Sequence, residues 1–233
     1  MKKKKQKKNN GFDNNWDKTY KKKFHLSVWP WSDLISYSAR YLKPKKKFKK
    51  ILELGCGAGA NIPFFLQRKF DYYGIEGSKT IIKKIKNKNK NKKLSKNIVC
   101  CDFTKEIPFD FLFDAVFDRA SLTHNSTQSI EACLKILEHK IRKDGLFVGI
   151  DWFSTKHEDF KKGITIDSNT KHNIKSRQFK NLGRVHFSNL SHIKKIFSKF
   201  HFSIEIFEHK ENKMLVGKNR INTSSINFIA RKN

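Results

Sequence analysis

Residues 51–59 read Ile-Leu-Glu-Leu-Gly-Cys-Gly-Ala-Gly, an apolar strand that meets an acid and then glycines at alternate positions. Gly55, Gly57 and Gly59 omit the side chains that would hold a ligand off the backbone, and they permit the positive φ of a tight strand-to-helix turn. That is the layout of a nucleotide-cofactor loop. Next comes Asp71-Tyr72-Tyr73-Gly74-Ile75-Glu76, a strand whose final acid stands where a carboxylate can accept from ribose hydroxyls. Two more acid-ended strands follow, 97–102 with Phe103 behind it, and 113–118 with Arg119 behind it. Four strands with polar groups at their carboxyl ends fit a ligand spread across the switch point of an open parallel sheet. Gly55-x-Gly57-x-x-Ala60 also satisfies the dinucleotide fingerprint. Glu53, in place of the usual apolar residue, the fifty residues ahead of the motif and the two later acid-ended strands all tilt the reading away from it.

Together these residues resemble the class I S-adenosylmethionine-dependent methyltransferases, over roughly residues 30–232 and most strongly over 51–155. Glu53 to Gly59 is similar to that family's first motif, Glu76 to its ribose-binding acid, and Asp102-Phe103 to the pair that brackets the adenine. Asp118 lies where the substrate-side motif begins, and Lys143-Asp144-Gly145 resembles the Pro-Gly-Gly turn, with Asp144 in place of a glycine. The resemblance implies S-adenosylmethionine as cofactor. It implies a Rossmann-like, doubly wound α/β fold with a mostly parallel seven-stranded sheet and an antiparallel last strand. The implied cofactor set is Glu53, Gly55, Gly57, Gly59, Glu76, Asp102, Phe103 and Asp118, with Asp118 orienting the donor's ammonium group. Glu53 either braces the loop by hydrogen-bonding its backbone or reaches the ammonium group itself.

The chain has 233 residues, enough for one sizeable core and a lid. No apolar stretch reaches about 18 residues, so no transmembrane helix is expected. Met1 to Lys8 has no apolar region behind it, which reads as a cytoplasmic protein without a secretory signal. Cys56, Cys100, Cys101 and Cys133 show no Cys-x-x-Cys spacing and are expected as buried reduced thiols; no metal site is expected. Lys plus Arg number 51 against 21 Asp plus Glu, a formal net charge of +30. Lys2–Lys8, Lys43–Lys50 and Lys79–Lys96 hold much of it. Either this is a compositional bias on solvated faces, or it is a footprint for nucleic acid or an anionic membrane surface. The runs lack the interleaved aromatics of single-strand readers, which favours the first reading.

Along the chain, residues 1–11 read as a disordered basic tail and 12–233 as one methyltransferase domain. Residues 12–44 form its aromatic and helical cap: irregular to 31, then a helix from Ser32 to Leu42 ended by Pro44. Strands are expected at 51–54, 71–76, 97–102, 113–118, 146–153, 202–206 and 226–230. Helices are expected near Asn61, after Ser78, over 127–142 and over 189–200. Residues 87–97 read as a mobile loop, 209–223 as a hairpin loop, and 154–185 as a polar substrate lid with no periodicity. The lid region holds His157, Asp159, His172, Arg177 and Arg184, with His186 at its edge.

The acceptor side carries less signal. Asp118-Arg119-x-x-Leu122 is similar to small-molecule methyltransferases of the thiopurine and tellurite-resistance kind. His124 either removes a proton from an acceptor hydroxyl, as its pKa range allows, or caps and packs. Arg119 either binds an anionic substrate or pairs with Asp118, and Asp151 opens the lid beside the substrate. Trp29 and Trp31 either fold over the cofactor or anchor the cap. The favoured function is O-methylation of a small molecule, a sugar or another hydroxylated metabolite. The alternative is an RNA methyltransferase recruited through the basic surface, although strand 113–118 is not followed by Asn/Asp-Pro-Pro-Tyr/Phe. A non-catalytic cofactor-fold binding module is the third reading.

Overall fold

The structure is a computed structural model, and it describes residues 11–42, 50–88, 92–176, 178–217 and 222–233. Helices α1 (Asn15–Lys21) and α2 (Ser32–Tyr41) precede the sheet. Then come β1 (Lys50–Leu54), α3 (Ile62–Gln67), β2 (Asp71–Glu76), α4 (Lys79–Lys88), α5 (Lys92–Asn97), β3 (Ile98–Cys100) and β4 (Phe113–Arg119). Helix α6 (Thr127–Glu138) leads to β5 (Ile141–Phe153), and three short strands follow: β6 (Ile164–Thr165), β7 (Thr170–His172) and β8 (Arg184–His186). The chain closes with α7 (Leu190–Ser198), β9 (Phe202–Lys213) and β10 (Asn222–Lys232).

Seven strands form the main sheet in the order β3-β2-β1-β4-β5-β10-β9. β1 to β5 pair in parallel, and β10 inserts antiparallel between β5 and β9. Order reverses between β1 and β4, so ligands are expected beyond the carboxyl ends of those two strands. The central strands are buried on both faces, which is why they read as continuous apolar runs. Side-chain alternation sorts them: Leu52, Leu54, Val116 and Phe147 face one core with α6 and α7, while Ile51, Ala115, Phe117 and Val148 face another with α2 to α5. In the first core Phe147 stacks on Phe228 at 5.8 Å, and Phe197 meets both edge-on. Truncating Phe197 to alanine would cost about 3–5 kcal/mol through the cavity left behind.

Several expectations need correction. The lysine-rich stretch from 87 holds a helix, α5, because Leu94 is buried against the sheet; residues 89–91 lie outside the described residues. The helix expected to Arg142 ends at Glu138, and Ile141 instead pairs with Phe113. Between Ile141 and Leu146 the register slips, with Asp144 at φ 61, so the expected turn is an excursion within β5. The last hairpin is longer than expected, its strands running to Lys213 and from Asn222. Segment 154–185 has structure of its own. β6, β7 and β8 form a second sheet over a cluster of Ile174, Phe179, Leu182, Val185 and Phe187. Residues 12–31 contain α1, with Trp16 packed against that same cluster. Gly11 is held by the Arg184 guanidinium, whereas residues 1–10, Lys43–Lys49 with Pro44, and Arg177 lie outside the described residues. Cys56 and Cys133 are buried, but Cys100 is exposed because β3 lies at the sheet edge.

Candidate active site

A cavity of about 360 Å³ opens beyond the carboxyl ends of β1 to β5. Gly55 and Gly57 of the glycine loop, Glu76, Asp102, Phe103, Arg119, His124 and Asp151 line it from the sheet side, whereas Gly59 packs toward Ile62 and is not in the lining. Phe12, Trp16, Tyr20, His25 and Trp31 line it from the N-terminal segment, and Phe179 and Leu182 from the connection between β7 and β8.

Local backbone chemistry sets the loop. Gly55 sits at φ +61, where a Cβ would lie 2.4 Å from the Ser121 Cβ, so only glycine fits between the β1 and β4 turns. The Gly57 N–H donates to Glu76 Oε2 at 3.0 Å, and the Ser78 N–H donates to Glu76 Oε1 at 2.9 Å. Glu53 is buried and accepts from Asn61 Nδ2 at 2.7 Å and from the Tyr72 hydroxyl at 2.6 Å. It braces the loop through side chains, rather than through loop backbone as expected.

Asp118 also departs from expectation. It is fully buried and is not among the residues lining the cavity. Its Oδ1 accepts from the Leu122 N–H at 2.9 Å and from Ser121 Oγ, and its Oδ2 accepts from Trp152 Nε1 at 2.7 Å. Those bonds hold the turn after β4, where Ala120 takes φ +53. Asp118 therefore shapes the wall from behind.

The buried acids gather negative charge in a protein of net charge +30. Burial lifts the Glu53 carboxyl to about 7, with Asp118 and Glu76 adding to the rise and the bonds from Tyr72 and Asn61 opposing it. Burial lifts Asp118 to about 6 against the bonds from Ser121, Leu122 and Trp152, and it raises Glu76 as well. A desolvated anionic well of this kind suits a ligand that carries positive charge.

Asp102 and Phe103 line the next part of the wall. Asp102 Oδ1 accepts from the Thr104 N–H at 3.0 Å, and Oδ2 accepts from the Phe12 N–H at 2.9 Å. Burial would raise its pKa, but those bonds and Lys105 hold it below the usual value. The Phe12 ring lies against Gly77, where an added Cβ would sit 2.1 Å from the ring. Further along, Asp17 Oδ1 accepts from Ser78 Oγ at 2.6 Å, so the N-terminal segment is clamped to the loops after β2 and β3.

At the other end, His124 is buried in a short 3-10 turn, its ring edge-on to Trp16 at 4.7 Å and to Phe153 at 5.7 Å. His124 Nδ1 lies 3.0 Å from the Arg184 carbonyl oxygen. A carbonyl only accepts, so the bond requires the proton on Nδ1 and leaves Nε2 with its lone pair. Burial lowers the pKa to about 4, so the ring is neutral at neutral pH. Arg119 pairs with Asp151, not with Asp118: its Nε and Nη2 donate to Asp151 Oδ2 at 3.1 and 3.0 Å. The guanidinium also sits 3.5 Å over the Trp31 ring. Asp151 takes φ +55, and its N–H donates to buried Asn227 Oδ1 at 2.9 Å. Trp31 lines the cavity, whereas Trp29 is 81% exposed and is not among the lining residues.

Sequence reading passed over Trp16 and Tyr20, whose rings lie 5.8 Å apart and both line the cavity. The signal available was an aromatic i,i+4 pair beginning just after Asn14. Asn61 was likewise missed; it joins Glu53 to the Trp31 N–H, which donates to Asn61 Oδ1 at 3.2 Å.

Residues 51–145 match a family model described as a methyltransferase domain. A sequence comparison with curated proteins gave no match. Among solved structures, the chain resembles a SAM-dependent methyltransferase from Methanosarcina mazei at 15% identity and TM-score 0.64, over 88% of this chain and 99% of that one. A protein from Pyrococcus horikoshii OT3 matches at 18% identity and TM-score 0.64, over 96% and 100%. An S-adenosylmethionine-dependent methyltransferase from Clostridium acetobutylicum matches at 14% identity and TM-score 0.61, over 94% and 96%. At these identities the structural likeness speaks to the fold, and among the described residues no helix is long and apolar enough to cross a membrane. The family match and the sheet agree: residues 51–145 carry a methyltransferase domain, within a Rossmann-like sheet of the fold seen in the S-adenosylmethionine-dependent methyltransferases that the chain resembles.

Proposed function

We propose that the protein transfers a methyl group to a hydroxyl of a small molecule, a sugar or a similarly hydroxylated metabolite. The residues present fit the donor. Glu76 would take the ribose hydroxyls, Asp102 and Phe103 would flank the adenine, and the anionic well around Glu53 would favour the cationic end. S-adenosylmethionine supplies a methyl group already activated on a sulfonium, so the protein has mainly to align the acceptor and manage its proton.

The observation that carries the O-methylation reading is the Arg184 carbonyl on His124 Nδ1. It leaves Nε2 as the basic atom of a neutral imidazole in the cavity wall. The acceptor oxygen would bond to the methyl carbon as the carbon–sulfur bond breaks, and its proton would pass to Nε2. The rings of Trp16, Trp31 and Phe153 suit the apolar faces of a sugar, and the Arg119–Asp151 pair offers a donor and an acceptor for neighbouring hydroxyls. Enclosure by the N-terminal segment and by Phe179 and Leu182 favours a small acceptor over a base within RNA.

The test is transfer of a radiolabelled methyl group from S-adenosylmethionine into fractionated cell extract. Label is expected in the metabolite or glycan fraction, in a form stable to mild alkali as an ether is. Label in RNA would overturn the reading and make the lysine field functional.

A further inference from the structure

Two exposed apolar clusters stand at the end of the sheet where the cavity opens. The first is in the loop after α1. Its residues divide: His25, Ser27 and Trp31 line the cavity, while Phe24, Val28 and Trp29 point outward at 63%, 68% and 81% exposure. The second is at the turn between β9 and β10, where Leu215 and Val216 are 76% and 83% exposed. Strand register puts that turn at the same end. Ser225 pairs with Phe153 at the carboxyl end of β5, and Asn222 with Lys213 lies further out still. An ion pair from Lys210 to Asp33 ties the hairpin to the first turn of α2, which follows that loop.

Lone exposed apolar residues need no explanation, but grouped ones around a site mouth do. Here the groups are bordered by cations. Lys21, Lys22 and Lys23 immediately precede Phe24, and Lys213 precedes the hairpin tip, all of them exposed. Tryptophan and phenylalanine beside lysines are the residue types that settle at a membrane–water boundary, the rings among the headgroups and acyl ends and the ammonium groups on anionic lipid.

We propose that this rim is a docking surface for an anionic lipid bilayer. The cavity mouth would then face the membrane surface. The net charge of +30 adds long-range attraction to the same partner. This goes beyond the methylation reading and does not depend on it.

Co-sedimentation of the full chain with vesicles tests it, using phosphatidylcholine alone and phosphatidylcholine mixed with phosphatidylglycerol. The wild type is expected to pellet with the mixed vesicles, with its tryptophan emission shifted to the blue. F24S/V28S/W29S keeps every lysine and should lose affinity for mixed vesicles by more than about tenfold, with S-adenosylmethionine affinity retained as proof of folding. Should that variant not fold, L215S/V216S carries the same expectation of weakened binding. The proposal is overturned if the wild type stays in the supernatant, or if a folded variant pellets as the wild type does, which would assign binding to bulk charge. A wild-type dimer that the triple substitution dissociates would also overturn it, since the patch would then cover a second copy of the chain.

Discussion

One end of the cavity is made by the sheet and the other by what is laid over it. At the proposed donor end, Glu53 and Glu76 stand near the carboxyl ends of β1 and β2 and Asp102 follows β3, and each is already held by hydrogen bonds from loop backbone or side chains. At the proposed acceptor end, Trp16 and Trp31 come from the N-terminal segment and Phe179 and Leu182 from the connection between β7 and β8, with His124 held by the Arg184 carbonyl. The difference teaches where specificity is free to change. The proposed donor end is fixed by the topology of the sheet, whereas Trp16, Trp31, Phe179 and Leu182 can be changed without touching a strand.

The sharpest way to break this division is His124→Ala. It should lower turnover by about 10²–10⁴-fold if Nε2 takes the proton, measured as label transferred from S-adenosylmethionine. Unchanged turnover would return His124 to a packing role. Next in size is Asp118→Ala, which leaves the Leu122 and Trp152 donors without their acceptor. The expected cost is about 3 kcal/mol of stability, or roughly 6–12 °C in melting temperature for a domain of this size. A large loss of donor affinity with the melting temperature unchanged would instead put Asp118 on the ligand.

The smallest effect sharpens the electrostatic side. Folded-state pKa values raised by burial mean that protonated Glu53 and Asp118 favour the folded protein; that stability is fully present below their ordinary carboxyl values and is lost as pH rises through about 6 to 7. A cationic ligand favours the ionised forms, so donor affinity should rise several-fold from about pH 5 to pH 7. Flat affinity across that range, read by calorimetry, would remove the anionic well from donor recognition.

The gathering of Glu53, Glu76 and Asp102 around one cavity was legible because the pattern is sequential: strand, acid, glycines, and again an acid at each strand end. The same local logic explains Ser78, which caps α4 through Ile81 N–H as its position predicts. It misplaced Asp118, because a carboxylate at a strand end reads the same whether it meets a ligand or the Trp152 indole 34 residues away. The acceptor wall was hard to read for a related reason. Phe179, Leu182 and Val185 bury against Trp16, far away in sequence, and short strands such as β6 and β7 offer too few residues for a period to show.

The central claim is that donor binding belongs to the sheet end alone. Titration calorimetry with S-adenosylmethionine on the wild type, Glu76→Ala and His124→Ala tests it most directly. The account predicts that Glu76→Ala weakens binding by more than about tenfold, near 1.4 kcal/mol, while His124→Ala binds as the wild type does. Equal losses in both variants, or full affinity in Glu76→Ala, would contradict it.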